Sequence, residues 1–173
     1  MRETFKYLVF KDPQWDYRSR PVDYDADATR AEQLDNGVVS ATNADLRPFF
    51  ARGGKMILYH GWTDPLISPG DAVNYYNRVQ DTVGKANLQR SMRLYMVPGM
   101  NHCRGGEGPD DFDMQPVMEQ WLESQQAPES VIASKIANGK VERTRPLCPC
   151  PQVAVWRGTG SIDEASNFAC KLP

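Results

Sequence analysis

The 173-residue chain carries 20 basic and 22 acidic residues for a net charge of -2, and 40% of its residues are hydrophobic. That suffices for one modest globular unit with an ordinary core. The mixed charges leave no stripe for nucleic acid, and no apolar run approaches a bilayer span, so nucleic acid and membrane are not expected partners.

From Met1 to about Asn43 the sequence mixes aromatic residues, Pro and Asp, as in Phe10-Lys11-Asp12-Pro13-Gln14-Trp15-Asp16-Tyr17, and reads as irregular with one short helix near Asp27 to Leu34. Arg52-Gly53-Gly54 signals a turn. Lys55 to Gly61 is then a short, nearly continuous apolar run closed by glycine, the pattern of a parallel strand buried on both faces. Pro69-Gly70-Asp71 opens a helix over Ala72 to Val83, with Val73, Tyr76 and Val79 at helical spacing and Gly84 beyond its end. A second apolar run, Arg93 to Val97, ends at Pro98-Gly99, so strand, helix and strand follow as in a right-handed crossover unit of an α/β sheet. Gly105 to Asp113 is a loop, Gln115 to Ser124 an amphipathic helix, and from Ala127 onward the chain is rich in Pro, Gly and Cys.

The N-terminal residues Met1 to Tyr7 lack the apolar stretch and small-residue cleavage site of a signal peptide. Four cysteines, Cys103, Cys148, Cys150 and Cys170, lack zinc-site spacing; they allow three full pairings and favour an oxidising compartment. The two observations agree if the sequence belongs to a longer gene product.

Reactive groups of an open α/β sheet sit in loops beyond the C-terminal ends of its strands. Two such loops are present, His60-Gly61-Trp62-Thr63-Asp64-Pro65 and Pro98-Gly99-Met100-Asn101-His102-Cys103, so Asp64 and His102 are expected as neighbours. A carboxylate bonded to one imidazole nitrogen fixes the tautomer and stabilises the imidazolium that forms when the other nitrogen takes a proton from a nucleophile. Such a pair needs a Ser or Cys to act on. Hydrolases of this class carry Ser, then Asp or Glu, then His in chain order, with Ser in a glycine-flanked elbow. None of the serines here has that setting. The order Asp64 before His102 is what remains if an upstream half carrying Ser is absent. His60 reads as a satisfied structural residue, and Trp15, Tyr17 and Trp62 read as core or lid packing rather than substrate platforms.

These motifs, together with Arg52-Gly53-Gly54-Lys55, Gly105-Gly106-Glu107-Gly108-Pro109, Arg145-Pro146-Leu147-Cys148-Pro149 and Asn167-Phe168-Ala169-Cys170, resemble the C-terminal part of the tannase and feruloyl esterase family. The resemblance implies an α/β-hydrolase fold, of which this chain would hold the last two parallel strands with their helices. Residues 1–46 would be the end of a lid, 47–127 the strand-helix-strand-helix part, and 128–173 a disulfide-containing tail of the same domain. It implies a serine esterase acting on aromatic, phenolic acid esters through an acyl-enzyme, with Asp64 and His102 as acid and base. The nucleophilic serine, the oxyanion hole and the calcium loop of the lid would lie upstream, so no cofactor is expected in this chain. By the same resemblance Cys148 and Cys170 form a local bridge, and Cys103 bridges to an upstream cysteine. Cys150 departs from the pattern, an aromatic residue being usual there. The whole protein is expected to be secreted or periplasmic. The expected partners are a small aromatic ester and the missing N-terminal half, in cis or in trans, and the isolated chain is expected to be inactive. Two other readings stand beside this one: a non-catalytic binding or complementing module that kept the scaffold, and a thiol enzyme using Cys103 beside His102.

Overall fold

A computed structural model describes residues 2–173. Residue contacts divide the chain into two units, residues 1–43 and 44–173.

The first unit is more regular than its sequence suggests. Thr4–Val9 form a π-helix, and helix α1 spans Ala26–Asp35, one residue longer at each end than expected. Val9, Phe10 and Trp15 form a small core with Phe5, Val22 and Ala31 against it, and the Arg20 guanidinium lies 4.2 Å from the centre of the Phe10 ring. The expectation of packing roles is met by Trp15, which is buried, while Tyr17 is exposed. Asn36 closes α1 in the left-handed conformation at φ 46°, a region Asn tolerates because its short polar side chain bonds locally.

The second unit begins with the short helix α2, Arg47–Ala51, and continues with strand β1, Met56–Gly61. Helix α3, Pro69–Val83, and helix α4, Lys85–Ser91, lead to strand β2, Met92–Val97. β1 and β2 pair in parallel, in register from Met56 opposite Met92 to Gly61 opposite Val97. Helix α3 starts at Pro69, where a missing N–H costs nothing, and stops at Gly84, whose φ of 81° a side chain would resist. Its buried residues Ala72, Tyr76, Val79 and Val83 fall on one stripe.

The two-residue period of β2 explains why every residue of it except Arg93 is apolar. Met92 and Leu94 face the cluster formed by α3 and α4, whereas Tyr95 and Val97 face a second cluster with Met100, Val131, Ala133 and Leu147. Helix α5, Met114–Ser124, is capped by the Asp113 carboxylate, which accepts from Gln115 N, and packs Met114 and Val117 on that second cluster.

The tail beyond residue 127 is not irregular. Strands β3, Val131–Ala137, and β4, Lys140–Leu147, form an antiparallel hairpin; β5, Val153–Trp156, and β6, Phe168–Lys171, form another. The first turns through Asn138 and Gly139, both at positive φ, the preferred pair for a two-residue hairpin loop. A disulfide joins Cys148 to Cys170. Between them Cys150 N donates to Leu94 O, and Tyr95 bridges to Pro149, so the tail lines the outer edge of β2. The other edge of β1 has no strand beside it among the described residues. No helix among them is long and apolar enough to cross a membrane.

Candidate active site

The parallel register brings the ends of β1 and β2 level, and the backbones of the two following loops are bonded to each other. Trp62 N donates to Val97 O at 2.9 Å, Thr63 N to Met100 O at 3.1 Å, and the Thr63 hydroxyl to Met100 O at 2.8 Å. Glycine permits this proximity: a Cβ at Gly61 would lie 2.1 Å from Met100 O. Beyond β2 the chain folds back on itself, with Gly108 N donating to Gly99 O and Asn101 N to Gly105 O, both at 3.0 Å. A Cβ at Gly106 would lie 2.1 Å from Gly99 O. The loop is tied outward as well. The Asp110 carboxylate accepts from Gly105 N at 2.7 Å, and Lys135 Nζ of β3 donates to Gly106 O at 2.6 Å and to Asp110 at 3.3 Å.

On this frame Asp64 Oδ2 lies 2.7 Å from His102 Nδ1. The Asp64 side chain is 2% exposed and that of His102 45%. Asp64 Oδ1 accepts from Leu66 N at 2.8 Å and Ile67 N at 3.1 Å, an Asx turn that fixes the carboxylate from behind. Burial alone would push the Asp64 carboxyl up; the hydrogen bonds from His102, Leu66 N and Ile67 N outweigh it and hold the group well below the usual carboxylate range. An ionised carboxylate only accepts, so Nδ1 of His102 carries the proton and Nε2 presents a lone pair. Among the described residues Nε2 has no hydrogen-bond partner. The arrangement can therefore take a proton from a nucleophile brought to Nε2 and return it to a leaving group.

His60 is satisfied, as a structural histidine should be, but its partner is the carboxylate itself: His60 Nε2 lies 3.0 Å from Asp64 Oδ2 and 3.3 Å from Ile67 O. Its spacing of four residues from Asp64 across the end of a strand is no recognised motif, so no sequence signal marks this contact. Trp62 is half exposed, and Cys103 is exposed, free and at φ 66°. Cys103 makes no hydrogen bond to His102 among the described residues, so this geometry lends the thiol-enzyme reading no support. Cys150 is free and half-buried, and burial pushes its thiol up. A cavity of about 980 Å³ between α3, α4 and the C-terminal hairpins contains none of the residues at the Asp64 and His102 site.

Two parallel strands with their crossover helices, ending in loops that join an acid to a histidine, define the C-terminal portion of an α/β-hydrolase-type fold. The chain belongs to the tannase and feruloyl esterase family, whose model it matches over residues 3–171. It is 38% identical to an uncharacterized esterase of Xanthomonas campestris pv. campestris over 97% of this chain and 36% of that protein. It is 46% identical to a mono(2-hydroxyethyl) terephthalate hydrolase of Piscinibacter sakaiensis over 77% of this chain and 22% of the relative. The crystal structure of feruloyl esterase B from Aspergillus oryzae superposes with a TM-score of 0.85 at 30% identity, covering 98% of this chain and 36% of that one. The chain thus spans about a third or less of the length of these relatives.

Proposed function

We propose that the chain is the acid–base portion of a serine carboxylic ester hydrolase acting on aromatic, phenolic acid esters. The observation that carries this reading is the 2.7 Å bond from His102 Nδ1 to a buried, four-donor Asp64 carboxylate, with Nε2 left open. In the proposed cycle a serine Oγ attacks the ester carbonyl carbon while His102 Nε2 takes its proton. The tetrahedral intermediate then breaks its bond to the alkoxy oxygen, which leaves as the alcohol with that proton. Water, deprotonated by His102, attacks the acyl-serine and frees the acid, and the proton returns to the serine. Asp64 stays ionised throughout and stabilises the imidazolium. The names of the relatives support ester hydrolysis, and the feruloyl esterase and terephthalate ester hydrolase among them support an aromatic acyl group.

The serine is supplied from outside these 173 residues, so the chain alone is inactive. The exposure of the free Cys103 beside His102 supports a bridge to a cysteine on the nucleophile's side. The Cys148–Cys170 disulfide supports a secreted or periplasmic location. Hydrolysis of methyl gallate, methyl ferulate and p-nitrophenyl acetate by the chain, by an upstream-extended chain and by the extended His102→Ala variant tests the reading. Turnover only by the extended chain, lost in the variant, is expected. Turnover by the 173 residues alone would overturn the assignment.

A further inference from the structure

The geometry points to His60 as a positioning residue for the acid–base pair: a second imidazole that shares Asp64 Oδ2 with His102 and fixes the orientation of the carboxylate. The inference rests on the proposed roles of Asp64 and His102 and adds a third residue that never meets the substrate.

The tautomer of His60 follows from its partners. Nε2 lies 3.3 Å from Ile67 O, a carbonyl that can only accept, and 3.0 Å from Asp64 Oδ2, which accepts when ionised. Nε2 therefore carries the proton and divides it between the two oxygens. The carboxylate then receives four N–H donors: backbone Leu66 and Ile67 on Oδ1, and the imidazoles of His60 and His102 on Oδ2. The two backbone donors fix one oxygen but leave the plane of the carboxylate free to rock about it. The donor from His60 removes that freedom, because it reaches Oδ2 from β1 while His102 reaches it from the other loop. His60 is anchored at the strand end and its side chain is only 16% exposed, whereas that of His102 is 45% exposed. The covered member of the pair thus holds the acceptor still for the exposed one.

The placement also explains the Ile67 contact. Ile67 gives its N–H to Asp64 Oδ1 and takes the His60 proton on its carbonyl, so His60, Asp64 and Ile67 close a ring of hydrogen bonds around the turn. A purely packing histidine would have no need to contact both ends of the same Asx turn.

The chain has two histidines, His60 and His102, so imidazole nitrogen signals can be read without ambiguity. Long-range ¹H–¹⁵N spectra of the chain and of its His60→Gln and His60→Phe variants, each checked for folding by circular dichroism, test the inference. Gln keeps an N–H near the position of Nε2, and Phe keeps only the ring. In the parent chain His60 is expected as the Nε2–H tautomer and His102 as the Nδ1–H tautomer. His102 should keep that tautomer in the Gln variant and become a mixture of both in the Phe variant. In the upstream-extended chain, Phe is expected to lower kcat about ten- to a hundredfold with KM little changed, and Gln to restore most of it. A Nδ1–H tautomer for His60 in the parent chain, readable even if the Phe variant does not fold, overturns the inference. So does a His102 tautomer indifferent to Phe at position 60. If the spectra respond as expected while the extended chain hydrolyses no ester, the positioning role stands and the esterase reading falls.

Discussion

The loop after β1 keeps its functional side chain under cover, and the loop after β2 keeps its own in the open. Asp64 is buried and meets four N–H donors, two from its own turn. His102 is nearly half exposed and has one side-chain hydrogen-bond partner among the described residues, Asp64. The means of support differ too. The acid loop is held by side-chain and turn hydrogen bonds around a charge, whereas the base loop is held by backbone contacts between Gly99, Gly106 and Gly108, buttressed by Asp110 and Lys135. The division suits a proton shuttle: the anion must not move or take the proton, and the base must be reachable. Fixing the acceptor and exposing the donor places the reorganisation cost outside the chemical step.

The strongest way to break this contrast is Asp64→Asn. The amide must turn its oxygen toward either the Leu66 and Ile67 N–H groups or the imidazoles. Keeping the turn puts an NH₂ against His102 Nδ1, which must then accept, so the tautomer reverses and Nε2 loses its lone pair. In the upstream-extended chain kcat is expected to fall by about 10⁴-fold with KM little changed. Circular dichroism should report a folded chain. The variant also removes an acid dependence. Because the folded-state carboxyl is held below its ordinary range, the stability it contributes is fully present above about pH 4 and is lost as pH falls through the depressed folded value. Acid titration of Asp64→Asn should show a shallower loss than the parent.

The base loop breaks by a different route, Gly106→Ala. Position 106 sits at φ 93°, where a side chain is strained, and the new Cβ would lie 2.1 Å from Gly99 O. The loop must open, at a cost of about 3 kcal/mol in chemical denaturation. The His102 signals should broaden or shift while the protection of Leu66 and Ile67 amides against hydrogen exchange stays. Gly105→Ala is the matched control: φ is 76° but the nearest atom is 3.9 Å away, so strain acts without collision and the loss should be smaller.

Reducing the disulfide, or replacing both Cys148 and Cys170 by Ala, probes a crosslink that makes no hydrogen bond to either loop among the described residues, although Cys148 lines a small cavity with Trp62 and Pro98. The bond closes a sequence separation of 22 residues, for which loop-closure entropy in the unfolded chain gives about 3 kcal/mol, less whatever strain it relieves. The denaturation midpoint should fall while both histidine signals remain in place. A shift at His102 would show that the tail, through Pro149 and Cys150 on β2, also sets the base loop.

What the sequence made legible follows from range. The two strands, α3 and the adjacency of Asp64 and His102 depend on local apolar runs and on one crossover, and all could be read directly. The tail could have been read further: Asn138-Gly139 between Val131-x-Ala133 and Val141 is a hairpin signal, masked by the surrounding Pro and Cys. The π-helix over Thr4–Val9 has no such signal, since Phe5, Tyr7, Leu8 and Val9 suit an ordinary helix equally well. The His60 contact was hidden because it depends on how the chain turns after Gly61. The Lys135 contact was hidden because it spans 29 residues to Gly106.

The smallest expected effect belongs to the strand that carries the base loop. Tyr95 is fully buried on β2, its hydroxyl donates to Pro128 O at 2.9 Å, and burial pushes it up to about 12. The neutral phenol is therefore the folded form. Its contribution is fully present below the unfolded value of about 10 and is lost as pH rises through the folded value. Tyr95→Phe should cost about 1 kcal/mol at neutral pH, because Arg93 Nε still donates to Pro128 O at 3.2 Å and the carbonyl is not orphaned. The variant should also lose part of the alkaline slope of stability. Part will remain, since burial raises Tyr75 and Tyr76 as well. Set beside Asp64→Asn, the result separates one contributor to each arm of the pH–stability curve: Asp64 of the loop after β1 on the acid side, where Asp110 of the loop after β2 also contributes, and Tyr95 beneath that second loop on the alkaline side. If Tyr95→Phe instead flattened the acid arm, the covered carboxylate would not be the group that titrates there, and the contrast between the loops would fail.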